Sequence, residues 1–217
     1  MPRLRLLGSL LLAALLPLTL TGCATVYDPD AVTPARWVRE PSYSAAVVDA
    51  VGADEAAAAW RFAVDFALAH QFQEDLMDPA HPPTADQLAR TVLDDLSETA
   101  KPYWTEQAAL AVQGDSTARG NLNVLQFSGW SPRAQVTKPG RDTMLRTQAI
   151  ERGAVDYDAT TEEITVRFSY RAIVQMSAQG RPVRLHAKNR PTYWLARQPA
   201  GGHLIDSYQG SLVIDEV

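Results

Sequence analysis

The chain holds a single cysteine, Cys23, in the stretch Leu20-Thr21-Gly22-Cys23 at the end of an apolar run. A thiolate is the side chain best suited to forming a thioether, so a lone cysteine with small residues before it is placed for covalent modification. With no second cysteine there is no intramolecular disulfide, and the fold must hold through its core. The histidines are His70, His81, His186 and His203, and none has a cysteine or histidine at a metal-ligand spacing. The sequence shows no Gly-x-Ser-x-Gly elbow, phosphate-cradling glycine loop or dinucleotide fingerprint. No metal, cofactor or catalytic residue is therefore assigned, and the chain is expected not to be an enzyme. Two groups could still do chemistry. Asp65, with Tyr170, could act as a general base if its carboxylate were desolvated, while the plainer alternative pairs it with Arg61 four residues earlier on a helix surface. Arg167, Arg171, Arg184 and Lys188 share one face of a predicted hairpin and form a basic strip for an acidic partner, unless solvent or a strand acid such as Glu151 balances it.

The elements that position these groups begin with the leader. Arg3 and Arg5 precede a run from Leu6 to Leu20 that is almost wholly apolar, which is the layout of a secretory signal. The run falls short of the roughly 20 residues that cross a bilayer comfortably. Leu20-Thr21-Gly22-Cys23 resembles the lipobox of bacterial lipoproteins. The resemblance implies that Cys23 receives a diacylglycerol, that residues 1–22 are a signal peptide removed before it, and that acyl chains such as palmitate then hold the protein at the extracytoplasmic face of the membrane. Each buried methylene adds about 0.8 kcal/mol of membrane affinity, so two chains hold where one lets go.

Without residues 1–22 the chain keeps 195 of its 217 residues, and its formal charge goes from −5 to −7, because the leader carries two arginines and no acid. An acidic body of this kind argues against nucleic acid as a partner. Residues 23–53 carry Pro29, Pro34 and Pro41 without sustained periodicity and read as a lipidated tether. At about 3.1 Å per residue, such a stretch reaches roughly 90 Å from the bilayer. Tyr27, Trp37 and Tyr43 are unusual in a linker and fit either clamps that dock part of it on the domain or a partner-binding strip.

Residues 54–217 form the domain. Trp60, Val64, Leu68, Phe72 and Leu76 recur at spacing four and predict a helix over 54–77. Thr84 with Gln87 is a capping-box pattern and starts a second helix over 85–99. A third, shorter one spans 103–113, and 114–120 reads as a polar loop. The period then changes to two. Ile164, Val166, Phe168, Tyr170, Ala172, Val174 and Met176 alternate with polar residues in a long half-buried strand. A turn at Gln179-Gly180 leads into its partner, and pairing Val174 with Leu185 and Ala172 with Ala187 keeps both apolar sets on one side. Pro191 marks a bulge or an edge, and the strand resumes through Tyr193, Trp194 and Leu195. Further strands are predicted over 144–157 and 204–214, with a weaker one over 122–127.

Helices followed by antiparallel strands give an α+β class. This order resembles the nuclear transport factor 2-like (NTF2-like) superfamily, including accessory proteins of mammalian-cell-entry lipid transporters and scaffold domains of type IV secretion machines. The resemblance implies a cone of about three N-terminal helices on a curved antiparallel sheet of four to five strands. It also implies a non-catalytic adaptor or scaffold for an envelope transport or secretion complex, with a protein partner in the cell envelope and homo-oligomerisation left open. An alternative is a carrier of a small apolar ligand or lipid, with Trp60, Phe62, Asp65, Phe66, Val166, Phe168 and Tyr170 lining the cone, and a third is a small hydrolase or isomerase centred on Asp65. Plain core packing accounts for the same aromatics.

Overall fold

The computed structural model describes residues 34–77, 81–127, 136–137, 144–178 and 180–216. Cys23, Tyr27 and the leader lie outside the described residues.

The helical half starts earlier than the periodicity predicts. Ser44 caps α1 (Ala45–Val51) by accepting from the backbone of Val47. Gly52, at φ 88°, then turns the chain into α2 (Ala53–His70), a conformation that favours glycine. On α2, Ala56, Ala59, Ala63 and Ala67 are fully buried, so the helix backbone lies close to the sheet. The predicted helix over 54–77 breaks after His70 and resumes as α3 (Glu74–Met77). The Thr84–Gln87 capping box is present at the start of α4 (Ala85–Arg90). This second helix stops short of residue 99, passing into a 3-10 turn at Leu93–Asp95, and α5 follows over Ala100–Val112.

The predicted loop over 114–120 and weak strand over 122–127 are corrected to a helix, α6 (Ser116–Leu125). The Asp115 carboxylate accepts from the backbone of Ala118, and Ala118, Leu122 and Leu125 are buried. One cap and one apolar stripe therefore outweigh the poor helix propensity of Gly120, Asn121 and Asn123.

The strands are β1 (Ala35–Val38), β2 (Ser42–Tyr43), β3 (Val136–Thr137), β4 (Leu145–Asp158), β5 (Glu163–Ala178), β6 (Arg181–Asn189), β7 (Thr192–Arg197), β8 (His203–Gln209) and β9 (Leu212–Glu216). They form one open sheet whose path runs β1-β4-β5-β6-β9. Strand β5 alternates as predicted, with Ile164, Val166, Phe168, Tyr170, Ala172, Val174 and Met176 buried. It pairs with β6 in the predicted register, including Val174 with Leu185, Ala172 with Ala187 and Arg171 with Lys188.

The breaks between short strands line up across the sheet. Arg190 and Pro191 separate β6 from β7, and both strands pair with β5. Gly210 and Ser211 separate β8, which pairs with β7, from β9, which pairs with β6. In β4 the register shifts between Glu151 and Ala154, and beside it residues 39–41 separate β1 from β2, both parallel to β4. Residues 35–43 thus form a strap on the sheet edge. Trp37 and Tyr43, read from sequence as clamps or a partner strip, lie on it.

Among the described residues the chain has six α-helices and nine strands. This corrects the NTF2-like cone of about three helices and four to five strands, and the resemblance built on element order falls with it. The fold is a mixed α+β arrangement in which helices cover one face of an open sheet. Element order misled because the extra parts, the strap, α1 and α6, come from segments whose composition reads as tether or loop.

Candidate functional site

The residues proposed to line a cone are packed against one another. Trp60 meets Phe168 edge-on at 5.9 Å between ring centroids, Phe168 meets Tyr193 at 5.6 Å and Phe66 meets Tyr193 at 5.8 Å. Val166 and Tyr170 are fully buried and Phe62 is half-buried against the core. Burial holds the Tyr170 and Tyr193 hydroxyls far above the usual phenol range. These side chains are the core.

A cleft exists elsewhere, between the strap and α2. It has a volume of about 280 Å³ and is lined by Val38, Glu40, Tyr43, Ala57, Trp60, Arg61, Val64 and Asp65. Of the seven predicted lining residues only Trp60 and Asp65 reach it. Trp60 and Val64 are nearly buried and make an apolar floor, while Glu40, Arg61 and Asp65 are exposed at the rim. Asp65 is a surface carboxylate, so the desolvated base needed by the Asp65 enzyme reading is not there. Burial, and then the nearby Glu40, raise the Tyr43 hydroxyl, which Arg61 partly offsets.

Two histidine clusters escaped the sequence reading. His203, at the start of β8, stacks on Phe62 at 6.0 Å, and its Nε2 lies 3.3 Å from Glu55 Oε1 without hydrogen-bond alignment. Arg197 Nε donates to the same Glu55 oxygen at 3.0 Å. Burial lowers the His203 pKa, and Glu55 works against that shift. His70 has Nε2 3.2 Å from Asp95 and Nδ1 2.9 Å from Gln73. Glu163 lies near two other carboxylates, Asp206 and Asp158. Burial chiefly raises Glu163, a hydrogen bond from Thr161 opposes it, and the charges of Asp206 and Asp158 add to the rise. Among the described residues no group of three or more His, Cys, Asp or Glu could hold a metal ion, and no helix is long and apolar enough to cross a membrane.

A buried polar network ties helices to sheet. Asn189 Nδ2 donates to Gln71 Oε1 and to the Val124 carbonyl, and Gln71 Nε2 donates to the Asn123 carbonyl. Gln148 Nε2 donates to the Leu68 carbonyl and to Tyr170 Oη. The β6–β7 break puts Asn189 opposite the ends of α2 and α6, a placement that no local sequence signal announces.

The basic strip lies on one exposed face as predicted: Arg167, Arg171, Arg184 and Lys188 are all exposed. Acids meet two of them. Lys188 Nζ donates to Asp215 at 2.9 Å, and Arg171 lies 3.8 Å from Glu151. Asp156 sits near Arg167, but it is chiefly the Ser44 hydroxyl that holds its carboxyl below the usual range.

The adaptor, carrier and enzyme readings all drew on the cone, and the observed fold and packed core withdraw them. No family model matches the chain, and no curated protein or solved structure is significantly similar to it.

Proposed function

We propose that this chain is a lipid-anchored protein of the extracytoplasmic membrane face whose domain is a non-catalytic binding module. Its ligand is a segment of an envelope polypeptide that lays one apolar side chain, flanked by charge, in the strap cleft. The anchor rests on Leu20-Thr21-Gly22-Cys23. The cleft carries the reading of the domain: an apolar floor of Trp60 and Val64 lies under a rim bearing Glu40, Arg61 and Asp65. At about 280 Å³ it sits just under the size of small-molecule sites, which suits one inserted side chain. Burying a Leu- or Phe-sized side chain there contributes about 1.5–3 kcal/mol, and the rim charges add selectivity more than affinity. No role in transport or secretion is assigned.

A photo-crosslinking side chain placed at Val38 in living cells tests this. The expected result is one discrete protein adduct that is lost when Arg61→Glu or Asp65→Arg is added, with no adduct from a control position at exposed Glu98. An adduct indifferent to the rim, or none at Val38, rejects the reading.

A further inference from the structure

One register row crosses the exposed face of the sheet from edge to edge. Trp37 in β1 pairs with Ala149, Ala149 with Arg171, Arg171 with Lys188, and Lys188 with Val213 in β9. Residues in register share a face, so Trp37 and Val213 stand at the two ends of a row with cations between them. Both are large apolar groups left in the open, Trp37 56% and Val213 51% exposed. Arg167 and Arg184 lie on the same face, and exposed Arg39 directly follows β1. Helices cover the other face, where α2 meets β4 and β5, and α6 meets β8 and β9.

We infer that this face rests on the bilayer: Trp37 and Val213 sit at the headgroup level, and Arg39, Arg171, Arg184 and Lys188 meet the phosphates of anionic phospholipid. The inference rests on the lipid-anchor reading above. Its second support is chain length. Only 12 residue-to-residue steps separate Cys23 from Ala35 at the start of β1. At no more than about 3.3–3.6 Å each, they keep the strap within roughly 40 Å of the anchor. Pairing of the strap with β4 thereby removes most of the reach that a tether over 23–53 would give.

A surface held this close meets the membrane as an intramolecular contact, at an effective concentration that makes weak contacts count. Tryptophan favours the membrane interface, where its ring is apolar and its N–H stays wet. Glu151 and Asp215 offset part of the cationic strip, and Asp156, Asp158 and Glu163 occupy the end of the same face beyond Arg167, so the contact is an interfacial one of modest charge made by the other end. In a body of formal charge −7 after removal of the leader, this is nonetheless the end of the sheet face where exposed Arg171, Arg184 and Lys188 converge, with exposed Arg39 beside them. Lying flat on it turns the helices and the mouth of the strap cleft away from lipid.

The test uses the full-length exported protein in phosphatidylcholine vesicles and in vesicles enriched in phosphatidylglycerol, each with brominated acyl chains that quench nearby tryptophan. Expected is quenching that is stronger in the anionic vesicles, falls in Trp37→Phe to the remainder given by half-buried Trp194 on the same face, and drops to the neutral-vesicle level in Arg171→Glu/Arg184→Glu. All are surface substitutions, and an unchanged melting curve checks that each variant folds. Intact mass reports the anchor separately. If Cys23 is bare, the anchor reading falls and this one falls with it. If Cys23 is acylated and quenching is absent or undiminished in Trp37→Phe, the anchor stands and the membrane-facing sheet is wrong, leaving the face to a protein partner.

Discussion

Trp60 on α2 and Gly153 in the β4 bulge occupy one space: a Cβ built on Gly153 would stand 2.6 Å from Cζ3 of the indole and 3.0 Å from Cβ of Pro41 on the strap. The glycine is needed for close approach. Its neighbour Arg152 carries the positive φ of 54° that the bulge requires. Three parts of the fold meet here, since the same indole packs edge-on against Phe168 of β5.

Gly153→Ala is therefore expected to destabilise the domain by about 1–3 kcal/mol, the cost of overpacking a filled core. Urea unfolding measures it. In a Trp60→Leu background the same substitution should cost much less, because the ring that clashes is gone and contacting sites are non-additive. Equal increments in the two backgrounds would show that the bulge, and not the indole, resents the methyl group.

Asn189 offers a test of the network between helices and sheet. Its amide nitrogen serves two buried acceptors, Gln71 Oε1 and the Val124 carbonyl. Asn189→Ala leaves both without that donor, at about 1–3 kcal/mol for each buried group left unpaired. Asn189→Asp should be worse at neutral pH, where a carboxylate has only lone pairs to offer, and should approach the alanine variant as acid protonates it. Denaturant midpoints at neutral and mildly acidic pH check the convergence; parallel behaviour of the two variants would count against the assigned donors.

Helix α6 depends on the residue just before it. Asp115 Oδ1 accepts from the Ala118 N–H at 2.8 Å, and the helix then crosses Gly120, Asn121 and Asn123. Asp115→Ala is expected to cost about 1 kcal/mol, and Asp115→Ser should restore most of it, as capping residues exchange for one another but not for alanine. Thermal melts of the three proteins decide the matter, and a serine variant as weak as alanine would refute a capping role.

What could be read in advance was whatever is local in the chain. The Thr84–Gln87 box and the β5–β6 register were legible because period and turn chemistry specify them within a few residues. Helix α6 was not, since its sequence is poor in helix formers and is held by tertiary burial of Leu122 and Leu125. Nor was the strap: β1 is four residues with every side chain exposed, so alternation gives no sign of it, and its partner β4 lies more than a hundred residues away. The cleft inherits that blindness because three of its eight lining residues, Val38, Glu40 and Tyr43, are strap. The basic face was legible as a pattern, yet its counter-charge Asp215 comes from β9, whose register could not be fixed from sequence.

Glu55 and His203, brought together by the packing of α2 on the sheet, set an acid response. Burial lowers the His203 pKa, Glu55 pulls it back up, and Arg197 adds to the lowering. A histidine whose folded pKa lies below its unfolded value binds fewer protons folded than unfolded. Its neutral form thus contributes full stability above the ordinary imidazole value of about 6.5, and the contribution drains away as pH falls from there toward the folded pKa. The slope in that window reaches at most about 1.4 kcal/mol per pH unit. Glu55→Gln removes the charge that favours the imidazolium, so the folded pKa drops further and the decline continues to lower pH. Between pH 7.5 and 5 this variant should lose more stability than the parent, and His203→Gln should lose less than either. Urea midpoints at the two pH values provide the comparison. If all three proteins lose the same amount, acid sensitivity resides in other groups and the buried imidazole is not its source.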